Sequence, residues 1–128
     1  MISMRDLSYG YDFFTGVPDS RLKSLIREIE RSGFEHIPAL NEGQAIGIAV
    51  GAELAGMKSC VYLQNSGLGN FINALTSLCI PHNIHPFLVI GHRHTLPQHE
   101  VMGRVDKEML ELIGYNNYII VWIIERLF

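Results

Sequence analysis

Cysteine and tryptophan are scarce in this chain, which carries two of the first and one of the second. Cys60 and Cys79 both stand in apolar runs, and their spacing fits no zinc or redox motif. A disulfide framework is therefore not expected, and free buried thiols in a reducing cytosol are. An excess of positive charge is also lacking. Ten Lys and Arg face thirteen Asp and Glu, for a net charge of −3, which removes the basic footprint of a nucleic-acid-binding domain. No apolar run approaches the ~20 residues of a membrane span. The longest, residues 118–124, has seven and ends in Glu125 and Arg126. A secretory signal is missing too, because Arg5 and Asp6 have no apolar stretch behind them. A soluble cytoplasmic protein is the simplest expectation. What remains is 128 residues with 48% hydrophobic and 18% charged side chains. That is one domain's worth of ordinary globular sequence, neither disordered nor repetitive.

Short apolar runs alternate with helical patterns along the chain. A first helix is expected near residues 3–8, followed by a strand at Phe13, Phe14 and Thr15 that Gly16 and Pro18 break. Asp19 has the chemistry of a helix N-cap. Leu22, Leu25, Ile26 and Ile29 then recur at helical spacing until Gly33. An extended piece at 36–40 leads to Asn41, which can cap a second helix reaching Ala55. Gly43, Ala45, Gly47, Ala49, Gly51, Ala52 and Ala55 make that helix rich in small residues. Each interior Gly lowers helix propensity by up to ~1 kcal/mol relative to Ala, so close packing on another backbone is expected to hold it. Strands are read at 59–63, 86–91 and 118–124, with helices to Leu78 and from Asp106 to Ile113, the last closed by Gly114. Residues 92–103 read as a polar loop. Strands this apolar, separated by helices, imply an α/β fold: an open parallel sheet with helices on both faces.

Open parallel sheets bind ligands at the carboxyl ends of their strands. Four polar or Gly-rich segments follow strands here: 16–20, 41–44, 64–70 and 92–103. Gly67 and Gly69 in the third allow close backbone approach at a helix start. No Gly-Lys-Ser/Thr makes it a P-loop, and no third Gly completes a dinucleotide fingerprint. From pattern alone it reads equally as a ligand loop or as a tight βα turn. Glu42 reads first as a carboxylate complementing a helix dipole. Glu53 and Glu100 read as solvated surface. His92, Arg93, His94 and His99 match no zinc spacing. Arg93 offers a planar fork for an anion, and the histidines offer proton transfer near neutral pH. No nucleophile elbow is present, and neither cysteine has a neighbouring His.

Three segments in order, Thr15-Gly-Val-Pro-Asp-Ser20, Asn41-Glu-Gly-Gln-Ala-Ile46 and Gln64-Asn-Ser-Gly-Leu-Gly-Asn70, carry a resemblance. They resemble the pyrimidine-binding domain of thiamine diphosphate-dependent 2-oxoacid decarboxylases. Within that group the likeness is to phosphonopyruvate decarboxylase and the sulfopyruvate decarboxylase α subunit. Pro97-Gln98-His99 and Gly103-Arg104 extend it, so that it covers about residues 12–114.

The resemblance implies a role for each matching position. Glu42 falls where the family keeps the glutamate that hydrogen-bonds N1′ of the aminopyrimidine and so activates the cofactor. Gln64, Asn65, Gly67, Gly69 and Asn70 would line or shape the pyrimidine site. Pro18 and Asp19 would stand near the reacting carbon. His92, Arg93 and His99 would meet the substrate, a 2-oxoacid bearing a second anion such as a phosphonate or sulfonate. The cofactor's carbon chemistry would be its own, with the protein supplying orientation and proton control.

The Gly-Asp-Gly that marks the family's diphosphate- and Mg²⁺-binding domain does not occur in the chain. The resemblance therefore implies a single pyrimidine-binding domain over 1–128, shortened at its C-terminus, with diphosphate and Mg²⁺ held by a partner domain or subunit in an oligomer. The small-residue face of the 41–55 helix is a candidate for subunit packing. Two other readings stand beside this one: a non-catalytic α/β interaction module that keeps the fold, and a phosphate- or nucleotide-binding domain using the Gly67/Gly69 loop.

Overall fold

In the computed structural model, residues 10–122 are described. The helix expected near 3–8 and the end of the last apolar run lie outside them. Strands β1 (Phe13–Gly16), β2 (Glu35–Pro38), β3 (Ser59–Gln64), β4 (Phe87–His92) and β5 (Tyr118–Trp122) form one parallel sheet in the order β2-β1-β3-β4-β5. Helices α1 (Lys23–Ser32), α2 (Glu42–Leu54), α3 (Leu68–Ala74) and α4 (Pro97–Ile113) connect consecutive strands. A 3₁₀ turn, Ser20–Leu22, leads into α1, and another, Asn65–Gly67, leads into α3. The α3 helix runs on into a π segment, Leu75–Cys79.

The strand order fixes where the helices go. The chain steps from β1 to β2 in one direction and from β2 onward in the other. With right-handed crossovers, that reversal puts the first helix on the face opposite the rest. The core divides accordingly. Leu22, Leu25 and Ile29 pack with Phe14, Cys60, Tyr62 and Val89 on one face. Ile46, Ala49 and Val50 of α2, Leu68, Phe71 and Leu75, and Leu110 of α4 pack with Val61, Leu63, Leu88 and Ile90 on the other. Strand β3 feeds both faces because successive side chains point opposite ways, and its first five residues are all buried. Each such Leu, Ile or Phe taken fully out of water contributes roughly 1.5–3 kcal/mol.

Several expectations hold. Gly33 and Gly114 end their helices at φ 79° and 77°, in the left-handed region that glycine adopts without strain. Asn41 caps α2, its Oδ1 accepting from Gln44 N–H at 2.8 Å. Cys60 and Cys79 are free and buried. Burial raises both thiols, Cys79 to about 11. Among the described residues no helix is long and apolar enough to cross a membrane.

Others are corrected. Residues 92–103 are not one loop: β4 continues through His92 and α4 begins at Pro97, nine residues before Asp106. Proline is suited to the first turn of a helix, where its missing N–H has no partner to lose. Asp19 makes no side-chain capping bond; its carboxylate is drawn to Arg93 instead. Glu53 is not mere surface, since its Oε1 accepts from Ser59 N–H and Oγ–H, both at 2.8 Å. In α2, only Gly43 meets another backbone closely: a Cβ there would lie 3.1 Å from the Asn70 carbonyl oxygen, whereas Gly47 and Gly51 face open space.

Candidate functional site at the carboxyl edge of the sheet

All five strands run parallel, so the segments leaving β1, β2, β3 and β4 emerge at one edge. Hydrogen bonds tie them together. Ala39 N–H donates to Gly16 carbonyl at 2.8 Å, and Val17 N–H to Tyr62 carbonyl at 3.2 Å. Gly16 is required at this junction, because a Cβ there would lie 2.1 Å from the Tyr62 carbonyl oxygen. The edge is a topological switch point: β1 is flanked by β2 on one side and by β3 on the other.

Glu42 is the first residue of α2 and is half-buried. Asn70, in the first turn of α3, donates through Nδ2 to Glu42 Oε2 at 2.8 Å. The rest of the side chain lies over Gly67. A Cβ on Gly67 would stand 2.5 Å from both Cγ and Oε1 of Glu42. The glycine thus supplies the room in which this carboxylate sits, and the asparagine fixes its rotation. Sequence spacing gave no sign that 42, 67 and 70 touch. Gly69 is exposed with open space before it. Gln64 hydrogen-bonds Ser66 through its side chain.

Asn65 has a different part. It is fully buried. Its Oδ1 accepts from Arg93 N–H at 3.2 Å and its Nδ2 donates to Arg93 carbonyl at 2.9 Å. Both backbone groups of Arg93 are therefore held by one carboxamide. Nδ2 donates as well to Asp106 Oδ2 at 3.2 Å. A side chain so engaged shapes the edge, and any contact it offers a ligand comes through its backbone.

Arg93 leaves β4 with its backbone clamped and its guanidinium directed to the β1–α1 segment. Nη2 donates to Asp19 Oδ1 at 2.6 Å and lies 3.5 Å from Ser20 Oγ. Pro18, just before, is exposed. Asp19 and Arg93, named separately as substrate-side candidates, are thus in direct contact. His92 is buried and bonded through Nδ1 to Asp106 Oδ2 at 2.6 Å. Its ring lies 4.1 Å from that of Trp122 and 5.1 Å from that of His94, centroid to centroid. His99 sits in the first turn of α4, 9% exposed. Gly103 lets α4 approach this strand end, since a Cβ there would meet His94 Cβ at 2.6 Å and Arg93 carbonyl at 2.8 Å. Asp106, 3% exposed, was not singled out from sequence, because a lone aspartate in a charged helix reads as surface. Its spacing of seven from His99 and four to Leu110 places all three on one helix face.

Oδ2 of Asp19, Nε of Arg93, Nδ1 of His99 and Oγ1 of Thr15 are buried without a hydrogen-bond partner among the described residues. Buried polar atoms ordinarily find partners, so this edge suits a polar ligand. A separate open groove of ≈ 510 Å³ lies between α4 and β5, with His92, Arg104, Asp106, Lys107, Tyr118 and Trp122 in its wall. It does not include Glu42. Among the described residues no group of three or more His, Cys, Asp or Glu stands placed to hold a metal ion.

The chain resembles known proteins over most of its length. Residues 5–109 match the family described as thiamine pyrophosphate enzyme, N-terminal TPP binding domain. The sulfopyruvate decarboxylase subunit alpha of Methanocaldococcus jannaschii is 40% identical over 112 residues, 84% of this chain and 66% of that protein. Its counterpart in Methanococcus maripaludis is 38% identical over 112 residues, 84% of this chain and 67% of that protein. The phosphonopyruvate decarboxylase of Streptomyces viridochromogenes is 40% identical over 111 residues, 80% of this chain but 28% of that protein. The chain thus spans about two thirds of the first two and under a third of the last. A carboxylate at the start of a helix, seated on a glycine and held by an asparagine, stands at this switch-point edge. With this match, the chain belongs to the family of thiamine pyrophosphate enzyme N-terminal TPP binding domains.

Proposed function

We propose that this chain is the pyrimidine-binding part of a thiamine pyrophosphate-dependent decarboxylase whose substrate is a 2-oxoacid with a second anion, phosphonopyruvate or sulfopyruvate. The observation that carries the proposal is the seating of Glu42 over Gly67, with Oε2 held by Asn70, at the edge where four strand ends converge. The cofactor, when bound, supplies the carbon that attacks the ketone and the ring that takes up electrons as CO₂ leaves. The protein's share is to bind, orient and manage protons. Glu42 Oε1 would share a proton with a ring nitrogen of the pyrimidine, while Asn70 keeps the carboxylate from rotating away. Gly67 would shape the site by making room for the Glu42 carboxylate, and Gly69, which has open space before it, would let the ring approach the backbone, with Gln64 and the Asn65 main chain shaping that wall. Arg93 would receive the substrate's remote anion in its guanidinium fork, beside Pro18 and Asp19. His92 and His99 complete the polar wall on the β4–α4 side.

Diphosphate and Mg²⁺ would be held by a second domain or subunit, since the chain has no Gly-Asp-Gly. The names of the relatives as α subunits support a partner chain and a hetero-oligomer, and the reading places that assembly in the cytoplasm. The test is to combine the chain with a partner chain that carries the Gly-Asp-Gly diphosphate site, thiamine pyrophosphate and Mg²⁺, and to follow CO₂ release from phosphonopyruvate and from sulfopyruvate. Release that requires both chains is expected. A complex that forms, binds the cofactor and turns over neither acid would contradict the substrate assignment.

A further inference from the structure

We infer that Asp106 is a positioning residue that sets the β4–α4 wall of the ligand edge by holding Asn65 and His92 at once. The inference rests on the proposed function for its kinetic part and on geometry for the rest. Asp106 lies in the interior of α4, 3% exposed. Its Oδ2 accepts from His92 Nδ1 at 2.6 Å and from Asn65 Nδ2 at 3.2 Å. Its Oδ1 accepts from Lys107 N–H at 2.6 Å. A buried carboxylate is stable only when such donors satisfy it, and here the donors come from three different elements.

Each bond has a consequence for the edge. An ionised carboxylate can only accept, so the His92 bond places that ring's proton on Nδ1 and fixes its tautomer and plane. This is the way an outer carboxylate orients a histidine elsewhere. The Asn65 bond fixes which end of the carboxamide is oxygen and which is nitrogen. That orientation lets Oδ1 meet Arg93 N–H and Nδ2 meet Arg93 carbonyl. The Arg93 backbone is clamped at two points, and its guanidinium emerges at Asp19. A flipped carboxamide would set donor against donor at Arg93 N–H. Asp106 thereby acts on the arginine through Asn65, across the ends of β3 and β4, without touching it. Gly103, earlier in the same helix, allows the approach by leaving no Cβ against His94 and the Arg93 carbonyl.

The test uses the full chain and its Asp106→Asn variant, with and without the partner chain. The variant keeps the side-chain volume but offers one neutral acceptor where a shared anion stood. In ring ¹⁵N spectra, wild-type His92 is expected with its proton on Nδ1. The variant is expected to populate both tautomers and to shift the Arg93 backbone amide. In the complex, KM for the doubly anionic 2-oxoacid should rise about tenfold, with kcat within about twofold, while KM for a 2-oxoacid lacking the second anion stays level. A second variant, Asn65→Ala, cuts the link to Arg93 but leaves the Asp106–His92 bond. It should reproduce the KM change without the tautomer change. Unaltered His92 and Arg93 signals in Asp106→Asn, or equal KM changes for both acids, would overturn the inference. A wild-type complex with no turnover would count against the decarboxylase reading, and the spectra would still decide whether Asp106 holds the network.

Discussion

Replacing Gly67 by Ala separates the seating of Glu42 from the stability of the fold. The added methyl would stand 2.5 Å from Cγ and Oε1 of Glu42 and 2.6 Å from Cδ. Carbon contacts settle near 3.5–4 Å, so the carboxylate must retreat by about 1 Å. The backbone does not resist the change, because Gly67 is right-handed helical at φ −75° and ψ −9°. Restricting the unfolded chain contributes about 0.4–1 kcal/mol in favour of alanine there. The loss of the Asn70–Glu42 bond, exposed to solvent, costs about 1 kcal/mol. The two nearly cancel, and the melting temperature should move by only a few degrees. Function should not be spared. A misplacement of about 1 Å in a group that must meet a reacting partner can cost about 10²-fold. The assay pairs thermal unfolding with thiamine pyrophosphate binding by calorimetry and CO₂ release in the partner complex. Wild-type binding and turnover in a folded Gly67→Ala variant would show that the seat on Gly67 does not position Glu42 for function.

Three further outcomes follow from the same geometry. Gly16→Ala puts a Cβ 2.1 Å from the Tyr62 carbonyl oxygen, a backbone clash at or beyond the ~3 kcal/mol end of overpacking costs, so chemical denaturation should show a severe loss of stability. Burial lowers the pKa of His36 below 6.5, and its Nε2 lies 2.7 Å from Tyr62 Oη, whose own pKa is pushed up to about 12. The neutral imidazole therefore accepts from the phenol, and its contribution to stability is present above pH 6.5 and lost as pH falls through the folded pKa. His36→Gln should flatten denaturation midpoints over that range. Arg93→Lys exchanges a planar fork for a point charge; steady-state kinetics should show KM for the doubly anionic acid raised about tenfold with kcat nearly kept.

The strands and their order of use were legible because each is a short apolar run between glycines, prolines and polar clusters. Glu42, Gly67 and Asn70 were legible as motif positions, but their mutual contact was not, since it arises from strands β2 and β3 lying on either side of β1. The start of α4 was hidden by polar residues: His99 and Asp106 take buried positions on it and interrupt the apolar stripe of Met102, Met109, Leu110 and Ile113 that packs on the core. Pro97 is the available signal, a helix-opening proline inside a polar run. Asp19 showed capping chemistry, but a nearby guanidinium 74 positions along the chain captured its carboxylate. Glu53 reads as solvated surface and Asp106 as an ordinary helix residue because a charged side chain on a helix is usually solvated; each instead binds a group on a neighbouring strand, Ser59 of β3 and His92 of β4. Gly47 and Gly51 turn outward, which helical periodicity could not distinguish from inward packing without the identity of the buried face.

In the proposed site the Glu42 carboxylate meets the pyrimidine of thiamine pyrophosphate and controls its proton. The most direct measurement is the rate of CO₂ release by the partner complex carrying Glu42→Gln, beside the wild-type complex, with melting temperatures recorded for both. The variant keeps an oxygen for Asn70 but has no carboxylate to share a proton. A fall of about 10²-fold or more in kcat is expected, with folding and assembly intact. Full turnover by the Glu42→Gln complex would contradict this role of Glu42.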